Sequence, residues 1–243
     1  MNTLEIHIPG HVHHRFEPNG GVVMIDSAAG TWFALNSTAG ELWRHWAADG
    51  DFERAAASVA ARHGEVPSET IRHDAECLLA ELLDEGLISM RARNPAGMAM
   101  VASRPSAAST PRGWPTRLAL FLSAHLCVFL AVVLTRVSFR WACALVRCTR
   151  RSWCNREPGS VRAAQFVDAV SRAADHYPGR AACLERSLAS VLLAALVRSR
   201  LDWCLGSIPD PYRFHAWVES NGRAVDDPRQ AQAAESFSRV LAL

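Results

Sequence analysis

The sequence predicts an α+β fold in two domains, and three observations indicate it. Within the first 90 residues, three short strand patterns come before three amphipathic helix patterns. Residues 1–90 contain 5 arginines and 14 acidic residues, whereas residues 91–160 contain 11 arginines and one acidic residue. After residue 180, a helix pattern is followed by a strand, an Asn-Gly turn and a return strand. We therefore expect one domain over residues 1–90, a flexible Pro-, Ala- and Ser-rich linker over 91–115, and a second domain over 116–243.

The first domain is predicted to hold three strands and then three helices. Turn residues bound strand patterns over 12–16, 21–26 and 31–35, and a short edge segment is expected over 87–90. Helix patterns cover roughly 38–48, 52–63 and 68–85, and Thr38 and Glu41 have the spacing of a capping box. This order of elements is winged-helix-like. The excess of acidic residues argues against binding to nucleic acid.

The second domain begins with an apolar run. Residues 118–134 form a run of 17 mostly apolar residues, which is short of the roughly 20 that usually cross a bilayer. We therefore expect a buried or partly interfacial helix and do not favour contact with a membrane. The apolar pattern continues through Trp141 and Val146, and another helix is predicted over 161–174.

Cys183 is a candidate nucleophile because a helix should begin at this residue. A Pro-Gly pair interrupts the chain just upstream, and apolar residues then recur on one helical face from Leu184 to Leu196. The N–H groups of a first helical turn carry partial positive charge, which favours the thiolate, the reactive form of cysteine. The alternative is that Cys183 is a small buried hydrophobic residue, as many cysteines are.

His215 is a candidate base on a predicted strand that an Asn-Gly turn returns toward the acidic pair Asp226 and Asp227. A two-residue Asn-Gly loop would place Asp226 diagonally beside His215 on the same face. A three-residue loop that begins at Ser220, with its glycine at positive φ, would place Asp227 opposite His215. Both loops are common, so either carboxylate could orient the imidazole. The alternative is that His215 only satisfies a structural hydrogen-bond network.

Three motifs in this half of the chain occur in order. They are Cys-Leu-Glu-Arg-Ser-Leu-Ala from Cys183, His-Ala-Trp-Val-Glu from His215, and Ala-Val-Asp-Asp ending at Asp227. Together, over roughly residues 160–243, they resemble the leader peptidases of lasso-peptide biosynthesis, the B proteins. The resemblance implies a papain/transglutaminase-like α+β cysteine peptidase domain. It also implies Cys183 as nucleophile, His215 as base and Asp227 as the orienting acid, with Asp226 in reserve, and it favours the three-residue turn.

A second resemblance covers roughly residues 5–90. The segments Val-Met-Ile-Asp at 23–26, Thr-Trp-Phe-Ala-Leu-Asn at 31–36, Thr-Ala-Gly-Glu-Leu-Trp at 38–43 and Leu-Leu-Asp-Glu-Gly-Leu-Ile at 82–88 carry it. They are similar to the recognition element of ribosomally synthesised and modified peptides, and to the peptide chaperone of pyrroloquinoline-quinone biosynthesis. Such domains bind a leader peptide as an added strand beside the third strand and over the third helix. The leader-binding positions would be Trp32, Phe33, Ala34, Leu78 and Leu82. Core packing is the alternative for each.

The two resemblances imply one function. A cysteine peptidase would bind the leader of a lasso-peptide precursor and cleave it at the leader–core junction, and an asparagine-synthetase-like cyclase would be its partner protein. The alternatives are a transglutaminase-like acyl transferase acting on peptides and a non-catalytic peptide carrier. No cofactor or metal is expected, because the histidines at 11, 13 and 14 lack acidic or cysteine neighbours in a metal-binding pattern. Seven cysteines without a Cys-x-x-Cys motif or a secretory signal indicate a reducing cytoplasm.

Overall fold

The computed structural model describes residues 4–92, 117–209, 211–225, 227 and 236–243. The chain divides into two compact units, residues 1–103 and 104–243. Both units combine helices and strands, so the fold class is α+β, as predicted. The predicted linker lies outside the described residues, apart from its first two positions.

The N-terminal unit contains two small antiparallel sheets. One has β3 in its centre and β2 and β4 at its sides, and these strands are β2 (Val12–Phe16), β3 (Val22–Asp26) and β4 (Thr31–Leu35). The other pairs β1 (Leu4–His7) with β5 (Ser89–Ala92). The sequence predicts the first sheet but not β1. Because β5 runs to Ala92, the predicted linker begins two residues too early.

Three helices follow β4 along the chain. They are α1 (Ser37–Asp49), α2 (Phe52–Arg62) and α3 (Ser68–Asp84). Asn36 caps α1, since its side-chain oxygen accepts a hydrogen bond from a first-turn N–H at 2.9 Å. Asp51 caps α2 in the same way. The predicted capping box of Thr38 and Glu41 does not form, because Asn36 starts the helix earlier and Glu41 bonds to Arg62 at 2.8 Å.

The core of this unit draws side chains from all eight elements or from the residues beside them. Its largest fully buried members are Trp43 and Trp46 of α1. Met24 of the central strand and Leu82 of α3 are also in this core. β4 is an edge strand of its sheet and, among the described residues, pairs only with β3.

Four helices open the second unit. They are α4 (Arg117–Val137), α5 (Phe139–Ser152), α6 (Ser160–Asp175) and α7 (Cys183–Leu196). The last of these begins at Cys183, as predicted. The sequence predicts a single apolar face for α7, but residues 187–195 are all buried. The reason is that α7 packs against α4, α5, α6 and the sheet at once.

An antiparallel sheet of four strands completes this unit in the order β8-β7-β6-β9. The strands are β6 (Asp202–Ile208), β7 (Arg213–Ser220), β8 (Arg223–Val225) and β9 (Ser238–Ala242). The β7–β8 hairpin confirms the prediction, whereas β6 and β9 were not predicted. The indole N–H of Trp203 on β6 donates to the Ser187 hydroxyl at 2.9 Å, a buried bond that fixes α7 against the sheet.

Candidate active site

Cys183 is half-buried at the first position of α7. Glu185 holds this helix start, because one of its carboxylate oxygens accepts from the Ala182 N–H at 2.9 Å. The other oxygen accepts from the Thr135 hydroxyl of α4 at 3.4 Å. Cys183 therefore lies at the N-terminal end of a firmly held helix, where the first-turn N–H groups carry partial positive charge.

Burial changes the reactivity of most of the other cysteines. It raises the pKa of four thiols, those of Cys127, Cys143, Cys154 and Cys204. For the first two the pKa reaches about 11. Such thiols stay protonated at neutral pH and are weak nucleophiles. The two exposed cysteines, Cys77 and Cys148, lie within α3 and α5 rather than at a helix start.

Arg186 ties the first turn of α7 to two neighbouring segments. Its Nε donates to the Ala181 carbonyl at 3.1 Å, and its Nη2 donates to Asp175 at the end of α6, also at 3.1 Å. Its Nη1 lies 3.8 Å from the Asp227 carboxylate. One guanidinium therefore connects the loop before Cys183, the end of α6 and the chain beyond β8.

His215 lies near the start of β7, opposite Gly206 of β6, and is 7% exposed. Its ring packs against Phe237 at a centroid distance of 4.8 Å and stacks with Trp217 at 6.1 Å. Burial lowers the pKa of His215 from its ordinary value of 6.5, and the charge of Asp227 opposes this by raising it. The imidazole is therefore neutral at neutral pH, as a general base must be.

Asp227 lies just beyond β8 with its side chain 8% exposed. Its Oδ2 accepts a hydrogen bond from the Ser171 hydroxyl of α6 at 2.6 Å and faces Arg186. Since its charge also acts on His215, Asp227 connects the base to the helix that carries Cys183. Asp226, the reserve candidate, lies outside the described residues.

The turn between β7 and β8 contains two residues, so the favoured three-residue turn was wrong. The flanking residues pair as a two-residue loop requires. Asn221 and Gly222 have φ values of 54° and 72°, as a type I′ turn requires, and this turn matches the right-handed twist of the strands. Because β8 ends at Val225, Asp227 is not a cross-strand partner of His215 and acts on it from beyond the strand.

The structure packs α7 against β7 but does not join the proposed nucleophile to the proposed base. Within the described ranges, no hydrogen bond links the Cys183 thiol to the His215 ring. Catalytic hydrogen bonds are often long in the free enzyme and tighten when substrate binds. The absence of this hydrogen bond in the free protein is therefore compatible with the two roles.

Three supporting residues were not predicted from the sequence: Ser171, Glu185 and Arg186. Glu185 occupies the third position of α7, where a carboxylate commonly caps a helix, so its spacing from the predicted helix start was a usable signal. Arg186 stands beside it in the cysteine motif. Ser171 gives no such signal, because its contact with Asp227 spans 56 residues of sequence.

A network of polar side chains holds Trp217, one of the two aromatic rings that pack beside His215. The Trp217 indole donates to Glu219 at 3.0 Å, and Arg239 of β9 donates to the other carboxylate oxygen of Glu219 at 2.6 Å. This network ties β9 to β7 across β6. It thereby holds Trp217 in its position beside His215.

The proposed leader-binding residues differ in their exposure. On the edge strand β4, Ala34 is exposed and Trp32 is half-buried. Phe33 is partly buried and packs against the core. Leu78 also packs partly buried against the core. Leu82 is only 4% exposed and belongs to the core itself. Neighbouring side chains already cover it, so little of Leu82 is left for a peptide to contact.

Comparisons with known proteins match both parts of the chain. Residues 126–242 match the transglutaminase-like superfamily, and residues 21–88 match coenzyme PQQ synthesis protein D, PqqD. A solved structure of TbiB1 in complex with the TbiA(beta) leader peptide is 21% identical, with a TM-score of 0.32, and the similarity covers 34% of this chain and 93% of that one. No curated protein matches the chain. Two separate segments of the chain thus match, in order, the PqqD model and the transglutaminase-like superfamily model.

Proposed function

We propose that this protein is a cysteine peptidase that binds the leader of a ribosomally synthesised lasso-peptide precursor and cleaves it at the leader–core junction. The observation that carries the proposal is the position of Cys183 at the start of α7, beside an Arg186–Asp227 pair whose acid acts on His215. A transglutaminase-like domain supplies thiol chemistry on an acyl group, and a PqqD-type domain supplies peptide binding.

The proposed reaction has two stages. His215 takes the proton of Cys183, and the thiolate attacks the carbonyl of the last leader residue. The Cys183 N–H is the candidate donor to the resulting oxyanion. The tetrahedral intermediate collapses to a thioester as His215 gives its proton to the departing amine of the core. Water, deprotonated by His215, then hydrolyses the thioester and releases the leader with a free carboxylate.

Asp227 has the role of orienting acid. Its bond from Ser171 and its ion pair with Arg186 hold the carboxylate in place, and its negative charge stabilises the imidazolium that forms during attack. Asp226 is the reserve for this role.

The leader would bind along β4 of the first unit. A peptide that pairs with this edge strand gains backbone hydrogen bonds. Side-chain contacts would come from Trp32, Phe33, Ala34 and Leu78. The freed core would pass to an asparagine-synthetase-like cyclase, the proposed partner. The seven free thiols suit the reducing cytoplasm, where we place the protein.

A second candidate function is acyl transfer from the same thioester to an amine, which the transglutaminase-like match favours. The two reactions share their first stage and differ only in the acceptor. Mass spectrometry of the leader fragment separates them, because hydrolysis adds water and acyl transfer adds the amine. A non-catalytic carrier would yield neither product.

The test uses the full chain with a candidate precursor peptide, sought among the short genes that neighbour its own. Cys183→Ala should abolish leader removal and leave leader binding intact, because it deletes only the thiolate. Cys148→Ala, which removes an exposed thiol from α5, is the control and should cleave normally. Cleavage by Cys183→Ala at the wild-type rate would exclude the proposed enzyme, and cleavage by neither protein would support the carrier.

A further inference from the structure

Helix α4 carries an exposed apolar stripe that the proposed function does not use. Its members recur every three or four residues and extend into α5: Leu122, Leu126, Phe129, Leu130, Val133, Val137 and Trp141. Their exposed fractions range from 38% at Val133 to 76% at Val137. A contiguous apolar surface of this kind on a folded domain marks an interaction site.

Over Ala119–Val137 the helix is long and apolar enough to cross a membrane. Its opposite face, however, is built into the domain. Ala124, Cys127, Val128 and Ala131 are at most 4% exposed, and the helix packs on α6 and α7. Crossing a bilayer would strip α7, and with it Cys183, of this packing. The stripe can therefore meet a membrane only by lying along its surface.

The charges around the stripe favour an anionic partner. Between Ala119 and Arg151 the sequence contains five arginines and no aspartate or glutamate, and one of the five, Arg150, pairs with Asp202 of β6. Arg136 and Arg140 are exposed where α4 gives way to α5, and Arg140 lies over the ring of Trp141. Arginines beside exposed Trp, Phe and Leu side chains are the composition of helices that lie in the headgroup region of a bilayer.

We propose that the stripe from Leu122 to Trp141 docks the protein onto an anionic lipid surface, with its apolar side chains inserted and its arginines at the headgroups. This inference is independent of the proposed peptidase activity. It departs from the expectation that α4 avoids membrane contact, because only the structure shows which face of the apolar run is left uncovered.

The test is co-sedimentation of the full chain with phosphatidylglycerol/phosphatidylcholine vesicles and with pure phosphatidylcholine vesicles. Wild type should sediment with the anionic vesicles and dissociate in high salt, since salt screens the arginines. The double variant Leu126→Glu/Phe129→Glu should lose at least about tenfold in vesicle affinity, because it places two charges in the inserted face. The control Val161→Glu/Leu196→Glu adds the same charges at exposed apolar positions outside the stripe and should bind like wild type.

Three results would overturn the proposal. One is wild-type protein that stays in the supernatant with both vesicles. Another is a Leu126→Glu/Phe129→Glu protein that retains a wild-type melting curve and wild-type vesicle binding. The third is size-exclusion data in which wild type is a dimer and only this variant is a monomer, which would assign the stripe to a second copy of the chain. Leader cleavage in solution should be unchanged in the variant, so failure here leaves the peptidase proposal untouched.

Discussion

Asp227 has contacts that suit an orienting acid. Its carboxylate is buried, accepts from Ser171 and raises the pKa of a histidine that burial otherwise lowers. Asp227→Asn keeps the shape of this side chain and removes its charge. We expect kcat to fall about hundredfold or more, since loss of the acid costs several orders of magnitude in comparable triads. Asp226→Asn should cost much less, and the reverse ranking would transfer the role to Asp226.

The pH profile of the same variant gives an independent readout. His215 must be neutral to act as base, so kcat/KM should fall as the pH drops through a lowered pKa, below the ordinary 6.5. Asp227 raises this pKa, so its removal should lower it further. The acid limb of Asp227→Asn should therefore shift to lower pH in steady-state assays. An acid limb that stays in place would show that Asp227 does not act on the base.

Arg186 is a positioning residue, because from the first turn of the nucleophile's helix it contacts the preceding loop, the end of α6 and the acid. Arg186→Lys retains the charge but lacks the planar fork that serves three partners in different directions. We expect kcat to fall about tenfold with KM nearly unchanged, since geometry rather than binding is affected. Arg180→Lys, an exposed position in the same loop, is the control. Equal kcat values for the two variants would remove Arg186 from the site.

At the scale of the element, Gly206 lets three strands approach one another beside His215. A β-carbon added here would lie 2.2 Å from the Ser238 carbonyl oxygen of β9 and 2.8 Å from the Trp217 ring. Gly206→Ala should therefore destabilise the unit by about 1–3 kcal/mol, as overpacking does, and should lower activity by displacing His215. Urea denaturation and cleavage assays measure the two effects. Gly159→Ala, at the N-cap of α6 where nothing lies within 4 Å, should cost far less stability and leave activity unchanged, and a neutral Gly206→Ala would refute the close packing.

The elements that the sequence predicts are those with local signals. Strands β2 to β4, helices α1 to α3 and the start of α7 follow from turn residues, caps and apolar spacing. Strand β6 escapes prediction because five of its seven residues are buried, which removes the alternation of a half-exposed strand. Strand β1 escapes because its partner β5 lies more than 80 residues away. The sequence does not determine the length of the hairpin loop, because both two- and three-residue loops suit Asn-Gly. The pairing of Ser220 with Arg223 in the structure shows that the loop has two residues.

At the scale of the whole molecule, fusing the proposed peptide-binding unit to the proposed catalytic unit should increase the local concentration of the scissile bond. The first unit should therefore matter for a precursor that carries its leader and not for a short peptide that spans only the junction. Substituting the half-buried Trp32 on the edge strand β4 tests this without truncating the chain, because side-chain pockets give selectivity in strand addition.

Trp32→Ala should weaken leader binding about tenfold, because an aromatic contact carries much of such an interface, and fluorescence anisotropy with a labelled leader measures this. At low substrate concentration, kcat/KM for the full precursor should fall by a similar factor, while kcat/KM for the short junction peptide stays at the wild-type value. Thr31→Ala, at an exposed position of the same strand, controls for a general disturbance of β4. An equal loss on both substrates would mean that Trp32 supports the catalytic unit itself, and no loss on either would place the leader elsewhere than β4.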